Sequence, residues 1–199
     1  MACRTAARLL CCAAASLASW VGVGSAAAQS EACILSPDKN NPNEQILRCG
    51  AELTITPAPG TVYHPAATGE DGLPPSVQLD SGALLIEFHA KDTAKDTAMP
   101  HHDFQILTPQ VVASVRGTKW MMEVKPGQTS AVVLLGQVAI ARKDAANAVM
   151  VGPGRGVDVT AADPAKISKS KNGSSQPAPI AVKRWAPARV KALLARFGQ

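Results

Sequence analysis

The sequence predicts an all-β domain followed by one short C-terminal α-helix, and three observations carry that expectation. In Thr108–Trp120 (TPQVVASVRGTKW), Val111, Ala113 and Val115 alternate with Val112 and Ser114. After Arg116-Gly117-Thr118 the alternation resumes, with Trp120, Met122 and Val124 set against Met121 and Glu123. A period of two marks strands that pack on one face. Further short apolar runs recur between residues 51 and 160, parted by Gly and Pro. The helical spacing falls at Pro187–Phe197, where Val190, Leu193, Leu194 and Phe197 stand at i, i+3, i+4 and i+7.

The 199-residue chain opens on an address. Met1–Leu10 carries Arg4 and Arg8 and no acid, Leu9–Gly24 is apolar or small, and Ala26-Ala27-Ala28 offers small residues for cleavage before Gln29. Residues 1–28 read as a secretory signal peptide. A membrane anchor is the alternative, but a span needs roughly 20 apolar residues, and this run is shorter and rich in small side chains. Cys11 and Cys12 fall too early for a lipoprotein signal. Past residue 29 no stretch is long and apolar enough to cross a bilayer. The remainder is therefore expected to be exported, periplasmic or extracellular, without a stable membrane span, and large enough for one domain with a core.

Cleavage leaves Cys33 and Cys49. Two cysteines in an oxidising compartment predict a disulfide that staples segment 29–50. The alternatives are a metal or redox pair; the spacing is far from C-x-x-C, and no histidine lies nearby to complete a zinc site. Charge is uneven. Residues 29–162 hold 10 Lys/Arg against 14 Asp/Glu, whereas residues 163–199 hold 8 against a single Asp. The basic tail suits weak contact with anionic surfaces, or simply a solvated end.

The elements follow in order within a β domain spanning 51–162. Between Cys33 and Cys49, LSPDKNNPNEQILR predicts loops. Ala51–Thr56 alternates as a strand, and Pro57–Pro75, with five prolines and three glycines, predicts loop. Gly82–Ala90 is a strand with Leu84, Ile86 and Phe88 on one face, Lys91–Met99 is a polar connector, and Asp103–Leu107 alternates again. Arg116-Gly117-Thr118 reads as a turn or bulge, since Gly tolerates positive φ. Lys125–Gln128 reads as a turn; Thr129–Leu135 and Val138–Ala141 are strands parted by Gly136. Ala148–Val151 and Val157–Val159 flank the glycine-rich GPGRG of Gly152–Gly156. Residues 163–182 predict a flexible linker and 183–199 a basic segment bearing the helix. Pro187 suits its first turn and Gly198 its stop. At this length the helix is marginal alone, so it docks on the β domain, with Trp185 as an anchor, or waits for a partner.

The inventory of chemistry is thin. There is no G-x-S-x-G elbow, H-E-x-x-H, dinucleotide fingerprint or C-x-x-C. GPGRG lacks the GK[ST] ending and following helix of a phosphate loop. His101 and His102 are adjacent and would point to opposite faces of a strand; sharing a metal with His89 is the sharp reading, surface histidines the bland one. No catalytic residue, metal or cofactor is expected, and the few aromatics argue against a stacking platform for nucleic acid.

ILTPQVVASVRGTKWMMEV, then TSAVVLLGQVAIARK, then VMVGPGRGVDV resemble the core of the FecR domain across about Leu79–Thr160. The residues that carry the resemblance are Thr108, Pro109, Val115, Arg116, Gly117, Thr118, Gly136, Gly152 and Gly156. The flanks, Leu47-Arg48-Cys49-Gly50 and VKRWAPARVKALLARFG, resemble the version in exported alphaproteobacterial proteins. The resemblance implies a small β-roll or sandwich, or a short solenoid-like sheet. Well-known FecR proteins are transmembrane regulators of sigma factors. This sequence departs from that plan, with no cytoplasmic domain before the apolar run and no later span. The resemblance here implies a non-catalytic, exported module that binds an unknown protein or envelope polymer. An accessory sensor in transmembrane or sigma-factor signalling is one alternative, and an enzyme of unrecognised type another. Arg116 and Thr118 read as residues that set a turn rather than as catalysts.

Overall fold

The computed structural model describes residues 33–37, 45–69, 72–89, 104–115, 117–143, 147–161, 168–169, 175–176 and 179–199. The predicted signal peptide and most of the predicted linker lie outside them.

Strand β5 (Ser76–Phe88) holds the architecture together. It runs for 13 residues and bends at Gly82, whose φ is +91°. Its second half pairs with β3 (Leu53–Pro57) and β8 (Thr118–Lys125). From there a first sheet extends on one side to β2 (Gln45–Cys49) and β1 (Ile34–Pro37). On the other side it extends to β9 (Gln128–Leu135), β12 (Arg155–Thr160) and β15 (Val182–Arg184). The first half of β5 pairs instead with β4 (Val62–Pro65) and, in parallel, with β6 (Phe104–Leu107). A second sheet grows from it through β7 (Val111–Val115), β10 (Val138–Arg142) and β11 (Ala148–Val151). Short strands β13 (Ser168–Lys169) and β14 (Ser175–Gln176) pair apart from both. The result is an all-β sandwich, almost closed, in which the chain crosses repeatedly between the sheets.

Each crossing has a glycine. Between β7 and β8 it is Gly117, with φ +67°, and between β9 and β10 it is Gly136, with φ +79°. These two corners touch: a Cβ on Gly136 would lie 2.6 Å from the Gly117 carbonyl oxygen and 2.7 Å from Thr118 Cγ2. At the crossing from β11 to β12, Gly154 donates its N–H to the Val133 carbonyl at 2.9 Å, tying that corner to the first sheet.

The alternating residues meet between the sheets. Leu84, Ile86, Trp120, Met122 and Val133 come from the first sheet, and Val77, Leu79, Ile106, Ala113 and Ile140 from the second. Burying each large aliphatic here stabilises by roughly 1.5–3 kcal/mol. Phe88 and Phe104 stack across the core with centroids 5.6 Å apart. Cys33 and Cys49 form a disulfide that closes the β1–β2 pair, with Cys49 fully buried.

Three expectations change. The Cys33–Cys49 interval is not all loop but holds the strands of β1 and β2. Residues 57–75 are likewise not all loop: β4 lies there on a sheet edge, where Pro65 at its end breaks no ladder. β5 begins at Ser76 rather than Gly82, since the glycine bends the strand instead of starting it. The turn or bulge expected at Arg116-Gly117-Thr118 falls between strands of different sheets, β7 and β8, with Gly117 at the corner; Arg116 itself lies outside the described residues.

Gly136 and Gly127 both have φ near +75°, yet only Gly136 lacks room for a side chain. Gly127→Ala is expected to cost about 1 kcal/mol, the penalty of the backbone alone. Gly136→Ala adds a collision with backbone and is expected to cost about 2–4 kcal/mol in urea unfolding. Equal losses would contradict the contact between corners.

Candidate interaction surface under the C-terminal helix

The first sheet is apolar on both faces. Ala83, Leu85, Met121 and Val132 point away from the main core and are fully buried nonetheless. Helix α1 (Pro187–Leu194), continued by a 3-10 turn over Ala195–Phe197, covers them with Leu193 and Phe197, and Trp185 packs beside it. Pro187 opens the helix, and Gly198, with φ +71°, closes it. Helix, stop and apolar stripe fall where the spacing places them, and the helix docks on its own domain.

Trp185 fits because of Gly156. A Cβ at Gly156 would lie 2.5 Å from the indole ring and 2.5 Å from the Ala131 carbonyl oxygen. The Trp185 backbone N–H donates to the Gly154 carbonyl at 3.2 Å, and Arg189 stacks over the indole, its Cζ 3.5 Å from the ring centroid.

A polar row crosses the same face. The register sets Glu123 opposite Ser130, and Ser130 opposite Asp158. Ser130 Oγ donates to Asp158 Oδ1 at 2.7 Å. Arg189 clamps the Asp158 carboxylate with two N–H groups, at 2.8 and 2.5 Å. Arg196 bonds one oxygen of the nearly buried Glu123, and Lys125 Nζ lies 2.9 Å from the other. The Arg189 hydrogen bond holds the Asp158 carboxyl below its ordinary range, against burial that acts to raise it. The same bond raises the Arg189 guanidinium. Between the helix and β8 an open groove of about 260 Å³ is lined by Glu123, Lys125, Trp185, Arg189, Ala192, Leu193 and Arg196. Both oxygens of Glu123 and both of Asp158 are occupied by cations. The arrangement is a clamp and offers no free base.

The residues singled out by sequence are spent elsewhere. Thr108 is fully buried; its hydroxyl donates to the Val111 carbonyl and accepts from the Val111 N–H, both at 3.0 Å, and takes the Thr129 hydroxyl at 3.1 Å. That locks the β6–β7 turn, with exposed Pro109 in it, to the first sheet. Val115 is core. Gly117 and Gly136 are the touching corners, and Thr118 is buried against them through its methyl. Gly152 has open space around it, whereas Gly156 seats the indole. His64 lies 3.3 Å from Asp80 on the surface, and His101 and His102 fall outside the described residues. Among the described residues no three His, Cys, Asp or Glu converge as for a metal, and no helix is long and apolar enough to cross a membrane.

The sequence reading missed Glu123, Ser130 and Asp158. A signal for them existed: Trp120-Met121-Met122 and Ala131–Leu135 are unbroken apolar runs, the mark of strands covered on both faces.

The sequence profile of the FecR protein family matches residues 61–139. The match begins before Leu79 and contains Thr108 through Gly136, while Gly152 and Gly156 lie beyond it. No curated protein matches the chain. A crystal structure of a candidate anti-sigma factor from Parabacteroides distasonis shares the fold, with a TM-score of 0.51 at 13% identity over 82% of this chain and 61% of that one. A second such structure from the same organism gives 0.49 at 12%, with the same coverage. The chain thus spans about three-fifths of the solved structures it matches.

Asp158 has a depressed pKa in the fold, so its clamp contributes fully above the ordinary carboxylate range of about pH 4 and is lost as pH falls through the depressed value. Acid titration followed by Trp185 fluorescence is expected to show α1 loosening before the sheets unfold. Asp158→Asn should give the loosened signal already at neutral pH. A Trp185 signal that follows global unfolding in both proteins would rule the clamp out.

Proposed function

We propose that the protein is a non-catalytic FecR-type binding module of the cell envelope that recognises another protein in a signalling pathway. The observation that carries this reading is the use made of the FecR motif: its described residues serve as corners, a turn lock and core. Thr108 spends its hydroxyl on Val111 and Thr129. Such residues build a scaffold, and a scaffold acts through its surface. The match over residues 61–139 supports the family reading, and the fold shared with the candidate anti-sigma factor supports a signalling setting. The Cys33–Cys49 disulfide supports an oxidising compartment and thus export. Contact of the basic tail with anionic envelope polymers is the second reading, supported by the charge excess of residues 163–199.

Crosslinking in intact cells followed by purification of the tagged chain from envelope fractions tests both. Recovery of one dominant protein partner, retained after a high-salt wash, is expected. Recovery of wall polymer or lipid alone, lost in salt and lost on deleting residues 163–199, would replace the first reading with the second. Fractionation of the chain into the cytoplasm would overturn both.

A further inference from the structure

The edge of the first sheet at β15 carries an arrangement that the fold does not need. The register sets Arg155 of β12 directly opposite Arg184 of β15, with Gly156 opposite Lys183 and Val157 opposite Val182. The Trp185 backbone N–H donates to Gly154 across this pair. In an antiparallel ladder, bonded and non-bonded pairs alternate, so Arg155 and Arg184 form a non-bonded pair, the kind in which side chains stand closest, with Cα atoms about 4.5 Å apart. Like charges directly opposite one another destabilise a sheet. Arg189 and Arg196, close by in sequence, are each matched with an acid. Arg155 and Arg184 are exposed and make no salt bridge or side-chain hydrogen bond among the described residues.

The same alternation turns the Arg184 N–H and carbonyl away from β12, toward the open edge. Among the described residues β15 has β12 as its sole strand partner. This edge therefore presents a main-chain donor and acceptor beside two guanidinium groups on one face. We propose that it docks an extended acidic segment of a partner protein, which joins the first sheet as an added strand. The partner's main chain pairs with Arg184, and a carboxylate on alternate residues reaches the arginine pair, which forks well onto carboxylates. Edge charges also keep copies of a chain apart, but a guard needs only charge, not two arginines at the closest cross-strand spacing. The proposal deepens the reading of the protein as a binding module and rests on it.

Fluorescence anisotropy on the full chain tests it, with a short labelled peptide of alternating glutamate and valine as probe and a lysine–valine peptide as control. The acidic peptide is expected to bind, more weakly as salt is raised, and the basic one not at all. Arg155→Gln with Arg184→Gln should weaken binding about tenfold or more. The same double variant should melt no lower than the parent, because a repulsion has been removed. Arg184→Pro, which deletes the outward N–H, should bind more weakly than Arg184→Gln. Absence of binding, equal binding of the two peptides, full affinity in the double glutamine variant, or parity of the proline and glutamine variants would each overturn strand addition. Phosphatidylglycerol vesicles that bind the parent and not the double variant, with no peptide binding, would assign the edge to lipid instead. A crosslinked partner retained by the double variant would remove this edge while leaving the binding-module reading in place.

Discussion

The contact between the Gly117 and Gly136 corners is the constraint on which the two-sheet arrangement depends. A strand that leaves one sheet for the other must turn sharply within a residue or two. Here two such turns lie against each other, so Gly136 has no room for a side chain beside the Gly117 carbonyl. Gly82 repeats the device within β5, where a Cβ would fall 2.5 Å from Thr61 Oγ1, the atom that accepts the Ala83 N–H. Because β5 is shared by both sheets, its bend fixes how they face each other. The core between them then follows from alternation alone.

The helix that covers the first sheet is held by unlike forces with different tasks. Leu193, Phe197 and Trp185 remove apolar surface from water, and each such burial is worth roughly 1.5–3 kcal/mol. The ion pairs at Asp158 and Glu123 are partly solvated, and pairs of that kind contribute about 1 kcal/mol or less. Apolar contact therefore supplies most of the hold on α1, while the carboxylates tighten it and decide where along the sheet it lies. The fit of Trp185 over Gly156 joins the two, since the indole is at once the apolar plug and the surface on which Arg189 stacks.

Much of this was legible in one dimension. Alternation located β6 and β7 within a residue or two, because each buries one side in the core, and apolar runs bounded by Gly and Pro located β8 through β10. The helix was legible for the same reason at its own period. β1, β2 and β4 were not, because they are short and rich in Pro, Asn and Asp near their ends, and partner strands supply what their residues do not. The polar row was hidden because Glu123, Ser130 and Asp158 look like ordinary outward positions until register aligns them and a helix from the far end of the chain arrives to pair with two of them.

The sequence by itself determined the class of fold, the helix and the cysteine pair, because those follow from local period and cysteine count. Only the tertiary structure decided that the Gly117 corner is a passage between sheets, that the helix lies on its own domain, and that Arg155 faces Arg184. Each of those depends on which strands become neighbours. Neighbours are chosen by how apolar faces stack in three dimensions, a choice that no local spacing encodes.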